Sequence, residues 1–195
     1  MIKDIIIGVD SGIGKAIHEL LPDALGTSRR TDSKFIQLDI KDKSSWPVFQ
    51  NKFSKVYYCI GISTEADETM EVNATRSIEF LQYIAPHVND KIVVLTSILG
   101  ALTKGNVISA DTASIYYRMS KAALNMGVME LSKQFEHINW QLVHPGFVRT
   151  KLTGNLSHID QAVDPLIAAK QIINVPTIKG LSYIELDVTG TRMVI

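Results

Sequence analysis

Cysteine occurs once in these 195 residues, at Cys59, so no internal disulfide can form. The thiol lies in an apolar run and reads as a small core residue, which suits a reducing, cytoplasmic setting. Neither sign of charge is in excess, since twenty basic side chains meet twenty acidic ones. Such a surface lacks the field that draws nucleic acid or an anionic membrane, and no basic stripe makes up for it. No uncharged apolar run reaches the length needed to span a bilayer. The chain opens Met1-Ile2-Lys3-Asp4 and passes directly into Ile5-Ile6-Ile7, a strand with no secretory leader before it. No two histidines have metal-binding spacing, so no metal site is expected. Repeats, low-complexity tracts and linkers are also missing. One domain over residues 1–195, with a sizeable core, is the expectation.

What is present is an alternation of short apolar runs with longer helical patterns, the signature of a parallel sheet covered on both faces. Strands are predicted over 2–9, 23–28, 34–39, 55–60, 91–96, 138–144 and 181–187. Helices are predicted over 12–21, 44–52, 65–87, 113–136 and 164–173. This pattern describes an α/β protein with a doubly wound, seven-stranded parallel sheet. The helices around Asn73 and Tyr117 carry apolar positions on more than one side, which points to a subunit contact as well as a sheet contact.

The first strand runs into Gly8-Val9-Asp10-Ser11-Gly12-Ile13-Gly14, and a helix opens at Lys15. Glycines at these positions permit backbone angles closed to other residues and let a pyrophosphate approach the chain. The helix start offers unpaired N–H groups to phosphate. A strand–turn–helix of this kind is the dinucleotide-binding element of a Rossmann fold. The second strand ends in Gly26-Thr27-Ser28-Arg29-Arg30. No carboxylate stands there to hold a ribose 2′-hydroxyl, whereas a guanidinium fork suits a 2′-phosphate. NADP(H) is favoured on this ground, with NAD(H) possible; Arg29 leads, Arg30 stands in reserve, and Asp10 argues electrostatically against a phosphate nearby. Far downstream, Tyr117-Arg118-Met119-Ser120-Lys121 puts a phenol and an ammonium on one helical face. An ammonium beside a phenol favours the phenolate and eases proton transfer.

Together these residues resemble the short-chain dehydrogenase/reductase family, in the right order over nearly the whole chain. The turn from Gly8 through Ser11, Gly12 and Ile13 to Gly14 is similar to that family's cofactor loop. The resemblance implies that Asp39 contacts the adenine, that Asn73 holds a proton-relay water, and that Ser97 orients the substrate. Tyr117 and Lys121 match the catalytic pair, with Lys121 also on the nicotinamide ribose. His144-Pro145-Gly146-Phe147-Val148-Arg149-Thr150 looks like the segment that embraces the nicotinamide carboxamide through Val148 and Thr150. The implied chemistry is a reversible hydride transfer between nicotinamide and the carbon of a small carbonyl or alcohol, in a homodimer or homotetramer.

Three departures stand out. The family's Asn-Asn-Ala-Gly reads Tyr58-Cys59-Ile60-Gly61 here, with only Gly61 retained. The loop between Ser97 and Tyr117 is long, and the segment 151–163, where relatives carry a lid, is short. His158 in that segment reads as a surface residue, and His144 as the end of a strand. A second reading follows from these departures: a cofactor-binding sensor or scaffold with little turnover. A sugar-nucleotide epimerase would need a C-terminal substrate domain for which the chain is too short.

Overall fold

Ile5, Ile6 and Ile7 are all fully buried although consecutive side chains of a strand point to opposite faces. Only a strand covered on both sides allows this. The computed structural model describes residues 3–31, 34–102, 113–154, 162–187 and 190–194. Its strands are β1 (Lys3–Ile7), β2 (Leu25–Ser28), β3 (Ile36–Gln37), β4 (Phe53–Tyr58), β5 (Val88–Leu95), β6 (Asn139–His144), β7 (Leu181–Asp187) and β8 (Gly190–Val194). They form one sheet in the order β3-β2-β1-β4-β5-β6-β7-β8. The seven predicted strands are all present and mutually parallel. An eighth, unpredicted strand folds back antiparallel on β7.

The helices are α1 (Gly12–Leu20), α2 (Ala66–Met70), α3 (Ser77–Ile84), α4 (Ile115–Gln134) and α5 (Pro165–Ile173). A π-helical stretch, Glu71–Arg76, joins α2 to α3. On one face, Ala16 and Ile17 of α1 and Ala169 and Ile172 of α5 cover Ile6, Val93 and Val143. On the other, Phe80 and Ile84 of α3 with Leu124 and Val128 of α4 cover Ile5, Val56 and Ile92. α1, α3, α4 and α5 each turn an apolar stripe to the sheet, as the 3.6-residue period allows. Lys91, in the middle of β5, is almost fully buried and donates from Nζ to the Val175 carbonyl at 3.1 Å. Gln141 of β6 donates to the Pro176 carbonyl at 2.6 Å, so two buried side chains hold the connection between α5 and β7.

Two predicted elements are corrected. The helix over 44–52 does not form; a 3₁₀ turn at Lys43–Ser45 takes its place. Pro47 is the cause, because it forces Trp46 into an extended backbone (φ −70°, ψ 122°). Trp46 instead packs edge-on against Phe80, with ring centroids 5.2 Å apart. The strand over 34–39 shrinks to Ile36–Gln37, since past Leu38 the chain turns where Asp39 Oδ1 accepts the Lys41 N–H.

The order reverses between β1 and β4: β1 passes outward to β2 on one side, and β4 leads to β5 on the other. A crevice therefore opens beyond their carboxyl ends. The turn into α1 forms its floor. Gly8 and Gly12 adopt φ of 91° and 58°, and a Cβ on Gly14 would overlap the Gly8 carbonyl oxygen. Gly14→Ala is expected to cost about 1–3 kcal/mol by overpacking, measured by urea unfolding. A change within about 0.5 kcal/mol would mean that α1 has room to withdraw from the turn.

Candidate functional site

The crevice is a cavity of ≈ 440 Å³ into which six segments project. Ser11, Gly12 and Ile13 come from the glycine turn and Arg29 from the end of β2. Gly61 follows β4, Ser97 follows β5, Tyr117 and Lys121 come from α4, and Pro145, Gly146, Val148 and Thr150 follow β6. Twelve of the residues singled out from sequence thus share one wall. Gly8 and Gly14 lie behind the turn, which they shape. Ser28, Arg30, Asp39 and Asn73 do not line the cavity.

Ser114 caps α4 by accepting the Tyr117 N–H at 3.2 Å, which fixes the start of the helix relative to the crevice. Tyr117 and Lys121 then fall one turn apart, and both are buried. Burial raises the Tyr117 phenol above its ordinary range, while a hydrogen bond with Ser97 pulls the other way. The Lys121 ammonium is pushed down to about 8 by desolvation alone. Its Nζ donates to the Leu95 carbonyl at 3.2 Å and lies 5.9 Å from the Tyr117 ring centre. Gly61 keeps this place open, because a Cβ there would sit 3.2 Å from Nζ. Ser97 Oγ also accepts the Leu99 N–H at 3.2 Å, opening the turn Ile98–Gly100 that rests on α4.

Asn73 is fully buried in the π-helical stretch. Its Oδ1 accepts the Ile62 N–H at 2.8 Å, and its Nδ2 donates to the Ile62 carbonyl at 2.8 Å and Ser120 Oγ at 3.1 Å. The side chain is therefore committed to protein partners, and it ties the segment after β4 to α4 beside the tyrosine. Such a widened turn recurs where helices serve a site. Asp39 lies away from the cavity, its carboxylate taken up by the local turn. On the far side, Thr150 packs against Gly12 and donates its N–H to Thr153 Oγ1 at 3.0 Å. Val148 bridges to Val163, closing the short segment after β6. The long loop before α4 (103–112) and His158 lie outside the described residues.

Sequence reasoning overlooked His144. It ends β6 as expected but also lines the cavity, opposite Glu185 of β7. Burial drives its pKa down to about 4, against the opposing charge of Glu185, and its Nδ1 is buried without a hydrogen-bond partner. Strand alternation from Trp140 and Leu142 was the available signal, since it puts His144 on the same sheet face as α4. Cys59 was read as core. It lies beneath the glycine turn, and burial raises its thiol to about 12, far from the reactive range.

The glycine turn, the open space at Gly61 and the buried cation fit a nicotinamide dinucleotide stretched along the crevice. No protein-family model matches the sequence, and no curated protein sequence does either. Solved structures do match. One from Burkholderia multivorans, assigned to the short-chain dehydrogenases/reductases with NADP bound, superposes with a TM-score of 0.81 at 20% identity, over 95% of this chain and 96% of the other. The carbonyl reductase Sniffer of D. melanogaster gives 0.77 at 17% identity, over 95% and 96%. The 3-alpha-hydroxysteroid dehydrogenase of Pseudomonas sp. B-0831, complexed with NADH, gives 0.69 at 16% identity, over 87% of each chain. The chain therefore has the short-chain dehydrogenase/reductase fold. Among the described residues no helix is long and apolar enough to cross a membrane.

A buried imidazole with a depressed pKa makes a signed prediction. The folded state disfavours the charged form, so this contribution is intact above the unfolded pKa near 6.5. It is lost as pH falls from 6.5 towards about 4, and stays lost below. His144→Gln should therefore lose less stability than wild type between pH 7 and pH 4.5, compared by chemical denaturation at both values. Parallel losses would show that His144 is solvated.

Proposed function

We propose that this protein is an NAD(P)(H)-dependent oxidoreductase of the short-chain dehydrogenase/reductase family that reduces a small carbonyl compound or oxidises the matching alcohol. The observation that carries this is the Tyr117 phenol: it is hydrogen-bonded to Ser97 in the crevice wall, with the buried Lys121 one helical turn further on. The bound nicotinamide would supply or accept the hydride; everything else falls to the chain.

Ser11, Gly12 and Ile13 would hold the pyrophosphate through backbone N–H groups at the start of α1. Arg29 would meet the adenosine end, and NADP(H) is preferred on its account. Lys121 would bind the nicotinamide ribose hydroxyls, and Pro145, Gly146, Val148 and Thr150 would flank the nicotinamide. Ser97 would donate to the substrate oxygen and fix it beside Tyr117. Because burial keeps the phenol protonated at neutral pH, Tyr117 is poised to give its proton to the oxygen of a carbonyl undergoing reduction. The Lys121 ammonium then offsets the phenolate left behind. In the opposite direction Tyr117 must take a proton, which calls for higher pH. Asn73 supports both by fixing Ile62 and Ser120.

One observation favours the second reading, a nucleotide sensor with little turnover. Where relatives place asparagines, this chain has the partly buried Cys59 and Ile60. Tyr117→Phe separates the two. It should lower NAD(P)H-linked carbonyl turnover by about 10²–10⁴-fold while leaving nucleotide affinity within a few-fold, measured by initial rates and fluorescence titration. Turnover absent from wild type across aldehydes, ketones and quinones, with binding retained, would leave the sensor reading.

A homodimer through α4 accompanies this proposal. Ile115, Tyr116, Met119 and Met126 expose 65%, 45%, 48% and 57% of their surfaces along one outward stripe, the spacing of a helix that packs against another helix. Met119→Glu with Met126→Glu should convert a dimer to a monomer in light scattering without loss of helix content. An unchanged mass would place any subunit contact elsewhere.

A further inference from the structure

Three strands end side by side at the crevice, and each carries a polar residue on the face that meets α4. The Thr96 N–H donates to the Val143 carbonyl at 2.8 Å, so Thr96, just past β5, stands beside His144 of β6. His144 is in register with Glu185 of β7. The Thr96 hydroxyl is engaged by Asn125 Oδ1 at 2.5 Å, and Asn125 Nδ2 donates to the Gly100 carbonyl at 3.4 Å. Thr153 Oγ1, also on the cavity wall, turns to the carbonyls of Val148 and Thr150. His144 differs from both: its half-buried ring lines the cavity, and its Nδ1 has no hydrogen-bond partner. Ile98, Leu99, Phe147 and Leu152 give the same cavity an apolar lining.

We propose that His144 is a specificity-determining residue: its Nε2 accepts the hydroxyl of a substrate that carries this group on the carbon next to the carbonyl. The substrate is then an α-hydroxy ketone or aldehyde with an apolar body, and the product a vicinal diol. The inference rests on the oxidoreductase reading above and deepens it. Burial keeps the imidazole neutral at neutral pH, and a neutral ring has one donor and one acceptor. The charge of Glu185 favours the remaining proton, which is best held on the buried Nδ1 and leaves the Nε2 lone pair for the cavity. Ser97 and Tyr117 are both donors to the carbonyl oxygen. An acceptor one strand away completes a set that fits a carbonyl flanked by a hydroxyl. Adjacent strands lie about 4.8 Å apart, a span that oxygens on neighbouring carbons bridge with a hydrogen bond at each end. The nicotinamide hydride goes to the carbonyl carbon and the Tyr117 proton to its oxygen, while the second hydroxyl is bound and unchanged. A carbonyl lacking that hydroxyl leaves the imidazole acceptor unpaired, which is how such a site discriminates.

The alternative is a histidine that only fills space at the end of β6. Wild type, His144→Phe, His144→Leu and His144→Gln are assayed for kcat/KM with saturating NADPH on α-hydroxyacetophenone and α-methoxyacetophenone. These ketones share the apolar body and the electron-withdrawing oxygen, and differ in the donated proton. Thermal melting checks each fold, and the two acceptor-free variants differ in volume so that a packing loss is told from a lost acceptor. The expected result is a hydroxy-to-methoxy ratio that falls about tenfold in His144→Phe and His144→Leu, the contribution of one hydrogen bond. In His144→Gln, whose amide oxygen still accepts, the ratio should stay within about threefold of wild type. A ratio unchanged in a folded acceptor-free variant, or a wild type that prefers the methoxy ketone, overturns the proposal and leaves the oxidoreductase reading intact. So does wild-type turnover of other carbonyls but of neither ketone. Failure of wild type to reduce any carbonyl with either nucleotide overturns the oxidoreductase reading itself, and the proposal with it.

Discussion

One buried cation, on α4, organises the site of this molecule. Lys121 is withdrawn from water on α4, and a buried ammonium is costly unless strong partners meet it. The Leu95 carbonyl at the end of β5 is one such partner, and it fixes α4 against the strand that leads to Ser97. Gly61 leaves the space the cation needs, and Asn73 holds the chain beyond Gly61 at its distance. Three connections that are far apart in sequence are thereby registered against one charged group. The tyrosine one turn earlier inherits that position.

The rest of the architecture follows from covering a parallel sheet on both faces. Isoleucine and valine at consecutive positions are tolerable only where helices lie above and below, and the helices differ in how they do this. α1 and α5 each set an alanine beside an isoleucine against the sheet, Ala16 with Ile17 and Ala169 with Ile172. α3 and α4 bring Phe80, Leu124 and Val128 and leave an apolar stripe of α4 facing outward. The glycine turn fits this scheme, for the contact between Gly14 and the Gly8 carbonyl is what lets α1 start directly over the crevice. Polar side chains do structural work at the opposite end, where Lys91 and Gln141 satisfy the carbonyls of Val175 and Pro176.

Much of this was legible in the one-dimensional pattern. All seven parallel strands were found because buried parallel strands are runs of apolar residues bounded by turn residues, which need no knowledge of neighbours. The helix over 44–52 was misread because its apolar spacing outweighed Pro47, whose steric demand on Trp46 is local and decisive. The eighth strand was missed because Gly190-Thr191-Arg192-Met193-Val194 has no alternation of apolar and polar residues, and its pairing depends on the free edge of β7. His144 was assigned to its strand, and its second identity as a wall of the cavity depends on which face of β6 meets α4.

The sequence by itself determined the class of fold, the glycine turn and the pairing of Tyr117 with Lys121, because each is a matter of local spacing along one strand or helix. Only the tertiary structure decided the electrostatic character of these groups. The Lys121 ammonium is pushed down to about 8, the Tyr117 phenol is raised, and the Asp10 carboxylate reaches across to Ser28 and Arg29. Those properties come from burial and from partners 18 or more residues away, and no spacing rule along a chain encodes how much water a folded protein removes.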